Sequence, residues 1–159
     1  MDENTVAIVE LEPMRVVSFR AVGNSPEEIA LQKLMDWARP NGLLEDLSKH
    51  PIFGFDNPPP TEGQEEYGYE VWIRIETGTL LESHLETRVF DGGAYAVTEC
   101  AVGGEPWKTI TATWERLNDW AQANGYEPGS HQHFEKYQNP GASLQDLRLE
   151  LYLPVQKKE

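Results

Sequence analysis

The strongest constraint on this 159-residue chain is that it matches itself. VVSFRAVG at 16–23 resembles AVTECAVG at 96–103, and MDWARPNG at 35–42 resembles NDWAQANG at 118–125. Further on, FGFDNP (53–58) falls on EKYQNP (135–140), and EVWIRI (70–75) on ELYLPV (150–155). The offsets are 80, 83, 82 and 80 residues. Four ordered matches at nearly one spacing mark a duplicated structural unit.

Each half reads as strand, helix, strand, strand. RVVSFRAV is β-branched and aromatic, and Ser25-Pro26-Glu27-Glu28 then supplies an N-cap serine, a proline at the first helical position and a glutamate placed to close a capping box. Leu31, Leu34, Met35 and Ala38 recur at helical spacing, and Asn41-Gly42 is the stop signal. In the second half Pro106 opens a helix whose stripe is Ile110, Trp114, Leu117 and Ala121, ending at Asn124-Gly125. Trp37, Trp114 and Trp120 are read as core packing at helical spacing.

The last strand of each half sets the faces. Leu147, Leu149, Leu151 and Leu153 alternate with Arg148, Glu150, Tyr152 and Pro154, so the leucines are expected on the helices. Tyr67, Tyr69, Val71 and Ile73 take the leucine places in the first half, which leaves Glu70, Trp72 and Arg74 on the face of Tyr152. An aromatic turned away from the helices is exposed in a lone sheet. The expected fold is therefore α+β: a tandem βαββ repeat with approximate twofold symmetry, antiparallel sheets with both helices on one side, and a central groove. One domain over residues 1–159 is expected, with halves at about 5–80 and 85–155. Residues 58–66 and 76–86 read as loops.

Composition narrows the partners. Thirteen basic against twenty-seven acidic residues give a net charge of −14, which repels a phosphate backbone and argues against direct nucleic-acid binding. The same charge concentrates cations around a cleft. Cys100 is the only cysteine, there is no basic-then-apolar leader, and no apolar run approaches the ~20 residues that span a bilayer. The expectation is a cytoplasmic protein without membrane contact, with Cys100 an inert small hydrophobe.

One segment, HQHFEKYQNP at 131–140, carries chemistry. Strand parity puts His131, His133, Glu135 and Tyr137 on one face and Gln132, Phe134 and Lys136 on the other. The repeat places Glu135 where the first half has Phe53, and Tyr137 where it has Phe55. Four readings compete for Glu135. It is a solvated charge, since glutamate is rarely buried alone. It is one ligand of a metal in His131-x-His133-x-Glu135, a set that lacks a further ligand motif, so no metal or cofactor is assigned. It is an acid–base catalyst with a raised pKa, assisted by Tyr137, Tyr69 or Tyr152. Or it is the counter-charge of an aromatic pocket for lipophilic cations, with ion pairing and cation–π contact each worth on the order of 1–2 kcal/mol.

Taken together, the doubled pattern, the Trp-Ala-x-x-Asn-Gly helix ends, GFDNP, YGYEVWIRI, GAYAVTECAVG, FEKYQNP and LRLELYLPV resemble the gyrase-inhibitor-like small-molecule-binding domain. That bacterial domain also forms the effector-binding half of AraC-type and MerR-type multidrug-responsive transcription activators. The likeness runs from about residue 5 to 155. It implies that Glu135 of Phe134-Glu135-Lys136-Tyr137 faces hydrophobic or cationic molecules in a central groove, with Tyr137 a wall. Trp72 and Tyr152 are the next ligand-binding candidates, followed by Phe53, Phe55 and Tyr69. No helix-turn-helix precedes residue 5, so a stand-alone binding domain is expected. Some stand-alone members resemble cyclopropanoid cyclohydrolases, which makes a hydrolase using Glu135 the alternative. The inhibitor branch implies a third reading, a protein partner such as DNA gyrase.

Overall fold

Pro26 fixes the first turn of α1 (Pro26–Ala38), whose Ala30, Leu34, Met35 and Ala38 are buried while Leu31 is half-exposed. Ser25 stands at the N-cap but makes no side-chain cap bond, so the capping box does not form. Glu27, the residue before the glutamate at capping-box spacing, accepts the Tyr67 hydroxyl at 2.7 and 2.9 Å. These details come from a computed structural model that describes residues 5–159.

In chain order the further elements are β1 (Ala7–Leu11), β2 (Met14–Gly23), a 3-10 turn (Leu43–Glu45), β3 (Ile52–Asp56), β4 (Tyr67–Ile75) and β5 (Glu86–Phe90). The second half supplies β6 (Gly93–Ala101), α2 (Pro106–Ala123), β7 (Tyr126–Pro128), β8 (Phe134–Tyr137) and β9 (Arg148–Lys157). The protein is α+β with antiparallel pairing, as expected, and each half contains the strand–helix–strand–strand core of a βαββ unit.

Two compact units result, one comprising the chain up to Pro13 with Asp91–Glu159, the other Met14–Phe90. In the Met14–Phe90 unit the strands run β3-β4-β2-β5. In the other they run β1-β6-β9-β8, with β7 on the far end of β9. The first strand of the chain thus pairs into the later repeat, and β5, from the connection, pairs into the earlier one. Halves at 5–80 and 85–155 miss this exchange.

Register fixes what faces what. In the Met14–Phe90 unit Phe19 stands opposite Val71, and its ring lies 5.9 Å from Trp37 of α1, so Val17, Phe19, Tyr69, Val71 and Ile73 form the helix face. In the other unit Cys100 stands opposite Leu149 and its sulfur receives the Thr113 hydroxyl of α2, so Leu149 and Leu151 form the helix face. The alternation of leucines and tyrosines read these faces correctly.

The pairings also correct the repeat. Val71 and Leu151 are equivalent, and they face Gly54 and Glu135. Glu135 therefore corresponds to Gly54, at an offset of 81, and Phe53 corresponds to Phe134. The same comparison across β2 and β6 sets Phe19 against Thr98, an offset of 79. Offsets of 82 and 80 for those strands are each one residue out, and one residue reverses the face.

Candidate functional site

Glu135 lies on β8, opposite Leu151, with Tyr137 opposite Leu149. Both therefore share the helix-bearing face of their sheet, Glu135 half-buried and Tyr137 only 6% exposed. Phe134 and Lys136 project from the other face, opposite Tyr152 and Glu150. A carboxylate beside leucines in a partly buried strand is costly unless something offsets its charge.

The strand begins only at Phe134, so the parity extended back to 131 does not hold. The His131 ring stacks edge-on against Tyr95, with Nε2 2.7 Å from the Ala94 carbonyl oxygen, while His133 meets Trp114 of α2 edge-on. A Cβ at Gly93 or at Gly129 would come within 2.7 Å of the His131 ring, so that imidazole is held in a slot only glycine permits. The two histidines turn to different neighbours. No group of three or more His, Cys, Asp or Glu able to hold a metal occurs among the described residues.

Tyr152 is on the face opposite Glu135 in the same sheet, so the two do not line one surface. It packs with Tyr95 and Phe134, all three ring pairs lying 5.2–5.5 Å apart. Burial raises the phenol pKa of Tyr152 and Tyr95 well above the ordinary value, with the charge of Glu150 and the Tyr152 phenol respectively adding to it, so both stay protonated.

In the Met14–Phe90 unit Trp72 occupies the equivalent place. It lies on the helix-free face opposite Phe53, 4.9 Å from Phe55 and 5.8 Å from Phe90. Tyr69 is on the reverse, helix-covered face and 1% exposed, so it stands apart from these rings. At their centre is a carboxylate that the sequence reading passed over. Glu70 is 1% exposed and accepts from Trp72 Nε1 (2.6 Å), Ser18 Oγ (2.8 Å), Asn57 Nδ2 (2.8 Å) and Arg88 Nε (2.8 Å). Burial pushes its pKa up, but the bonds from Asn57, Trp72, Ser18 and Arg88 together outweigh it, and the net shift is downward. Glu70 is thus a fixed anion whose lone pairs are committed to this chain. The signal that could have found it is a glutamate in the middle of the apolar run YGYEVWIRI.

The repeated Asn-Pro turns serve this geometry. Asn57 joins Glu70 to the turn after β3, and a Cβ on Gly68 would come 2.0 Å from the Asn57 carbonyl oxygen. Asn139 does the corresponding work in the other unit, accepting from Arg148 N–H and donating to the Asp146 carbonyl.

Two helix-backed antiparallel units, each with a packed aromatic cluster, and a half-buried carboxylate on β8 define a small α+β domain of ligand-binding type. The sequence model of the family described as the GyrI-like small molecule binding domain matches residues 4–156, and the chain belongs to that family. It is 26% identical over 170 residues to a protein of Erwinia billingiae named DNA gyrase inhibitor, covering 97% of this chain and 99% of that one. A structure described as a hydrolase from Listeria innocua superposes with TM-score 0.69 at 13% identity, over 98% of this chain and 94% of that one. SAV2435, solved bound to tetraphenylphosphonium, superposes with TM-score 0.55 at 18% identity over 96% and 94%. These two likenesses establish the shared fold.

Proposed function

We propose that this protein binds hydrophobic or cationic small molecules for sensing or sequestration, as a cytoplasmic effector-binding domain with Glu135 as the polar anchor. The single observation that carries this reading is the placement of Glu135, a half-buried carboxylate on the helix face of its sheet opposite Leu151. Membership of a small-molecule-binding family supports it, and so does a fold neighbour that holds a lipophilic cation. Tyr137, on the same face two residues on, is the adjoining wall. Tyr152 serves from the reverse face as packing behind Phe134, and Trp72, with Phe53 opposite it and Phe55 against its ring, holds Glu70 through its indole N–H. Tyr69 is a floor residue of the helix face in its own unit.

Isothermal titration with tetraphenylphosphonium tests the assignment. Wild type should bind it, and Glu135→Gln should weaken binding at least tenfold with the melting temperature nearly unchanged. Equal affinity in the two proteins would remove Glu135 from the role.

A hydrolase is the second reading, favoured by the Listeria neighbour and by the same half-buried carboxyl group, which is suited to activating water against a strained electrophile. Turnover of cyclopropanoid substrates that vanishes in Glu135→Gln while binding persists would put it first. The relative named a gyrase inhibitor motivates a third arm, in which inhibition of gyrase supercoiling by the purified protein is measured directly.

A further inference from the structure

A cavity of about 320 Å³ opens in the Met14–Phe90 unit, at the C-terminal end of α1, beside the 3-10 turn and under the connection that follows β4. Its apolar lining is Trp37, Leu43, Ile75, Leu80 and Leu81, and its polar lining is Asn41, His50, Thr79, Glu76 and Glu82. The volume lies within the range of small-ligand sites, and the mixture of a flat indole, aliphatic walls and a few polar groups is their usual composition.

Two features are unexplained by the fold alone. Leu80 is 97% exposed at the mouth, where a leucine has nothing to pack on. The charges nearby are also unevenly used. Lys49 is held by Glu76 at 3.2 Å and the Arg15 guanidinium donates to the Thr79 carbonyl at 2.9 Å, whereas Glu82 has no cation partner among the described residues.

From these features we infer that the cavity is a binding site, separate from the one on β8, for a small planar organic cation of the arylamidinium or arylammonium class. The aryl plane lies against the Trp37 indole and Leu80 covers it. The cationic group meets Glu82, which an amidinium can engage with two parallel N–H···O bonds. All the residues that line the cavity belong to the Met14–Phe90 unit, so the site does not depend on Glu135.

Fluorescence titration of the whole chain with p-aminobenzamidine, whose emission rises in apolar surroundings, tests this. Saturable binding is expected, with neutral p-aminobenzamide at least tenfold weaker. Glu82→Gln and Leu80→Lys change exposed side chains and leave folding intact; each should weaken p-aminobenzamidine at least tenfold, while Glu135→Gln leaves it unchanged. Three results overturn the inference: no saturable signal, an affinity indifferent to both cavity variants, or a loss seen only with Glu135→Gln, which would assign the probe to β8. Tetraphenylphosphonium binding reports separately on the β8 reading, so either proposal can fail without the other.

Discussion

At Gly54 a Cβ would lie 2.1 Å from the Tyr69 hydroxyl oxygen and 2.6 Å from its ring. The missing side chain is therefore what lets Tyr69 lie across the helix face of β3, and the equivalent place in the other unit is where Glu135 stands. The asymmetry between repeats is thus glycine against glutamate, with a tyrosine filling the space on one side only. Tyr69 is 1% exposed and cannot swing away, so Gly54→Ala should destabilise by about 2 kcal/mol, and Gly54→Ala with Tyr69→Leu should cost less than the sum of the two changes. A double-mutant cycle by urea unfolding measures it. Glu70 makes a pH-dependent prediction. Its folded pKa lies below the ordinary 4.5, so its contribution is present above about pH 4.5 and is lost as pH falls through the folded value. Glu70→Gln should cost about 2–3 kcal/mol at pH 7, and the gap to wild type should close as both are acidified.

Among the elements, the two helices end alike. Asn41 Nδ2 donates to the Trp37 carbonyl at 2.7 Å, and Asn124 Nδ2 to the Trp120 carbonyl at 2.8 Å. Asn41 thereby occupies an orphan carbonyl of the last turn, Asn124 adds a second donor to a carbonyl that its own backbone N–H already reaches at 3.1 Å, and Gly42 and Gly125 follow with φ of 73° and 85°. This is the physical content of the repeated Trp-Ala-x-x-Asn-Gly, and it was legible because capping is local. Asn41→Ala and Asn124→Ala should each lower stability by about 1 kcal/mol, read from thermal unfolding. The N-terminus of α1 was less legible. Ser25 and Glu28 have the right spacing for a capping box, yet Ser25 makes no side-chain cap bond. The short β8 likewise ends the apparent strand before the histidines, because His131 and His133 are drawn off by Tyr95 and Trp114.

For the whole molecule the net charge of −14 is the dominant long-range feature, and no helix among the described residues is long and apolar enough to cross a membrane. Charge of one sign repels itself in the compact state and is screened by salt over about 10 Å at 0.1 M. Raising sodium chloride from 0.01 to 0.2 M should therefore raise the melting temperature while weakening the affinity for tetraphenylphosphonium; a melting temperature that fell would contradict the self-repulsion. The strand–helix–strand–strand core of each half, the helix stops and the inward leucines of β9 were set by the sequence alone, since each follows from a local period or turn chemistry. Tertiary structure decided the rest: that Glu135 is the counterpart of Gly54 and lies on the face opposite Tyr152, that Glu70 gathers four donors, and that β1 and β5 each pair into the other repeat. A strand's side chains alternate every residue, so a one-residue error in alignment leaves the pattern intact and reverses the face. Backbone pairing carries no side-chain signature, so only the assembled sheets reveal which strands bond.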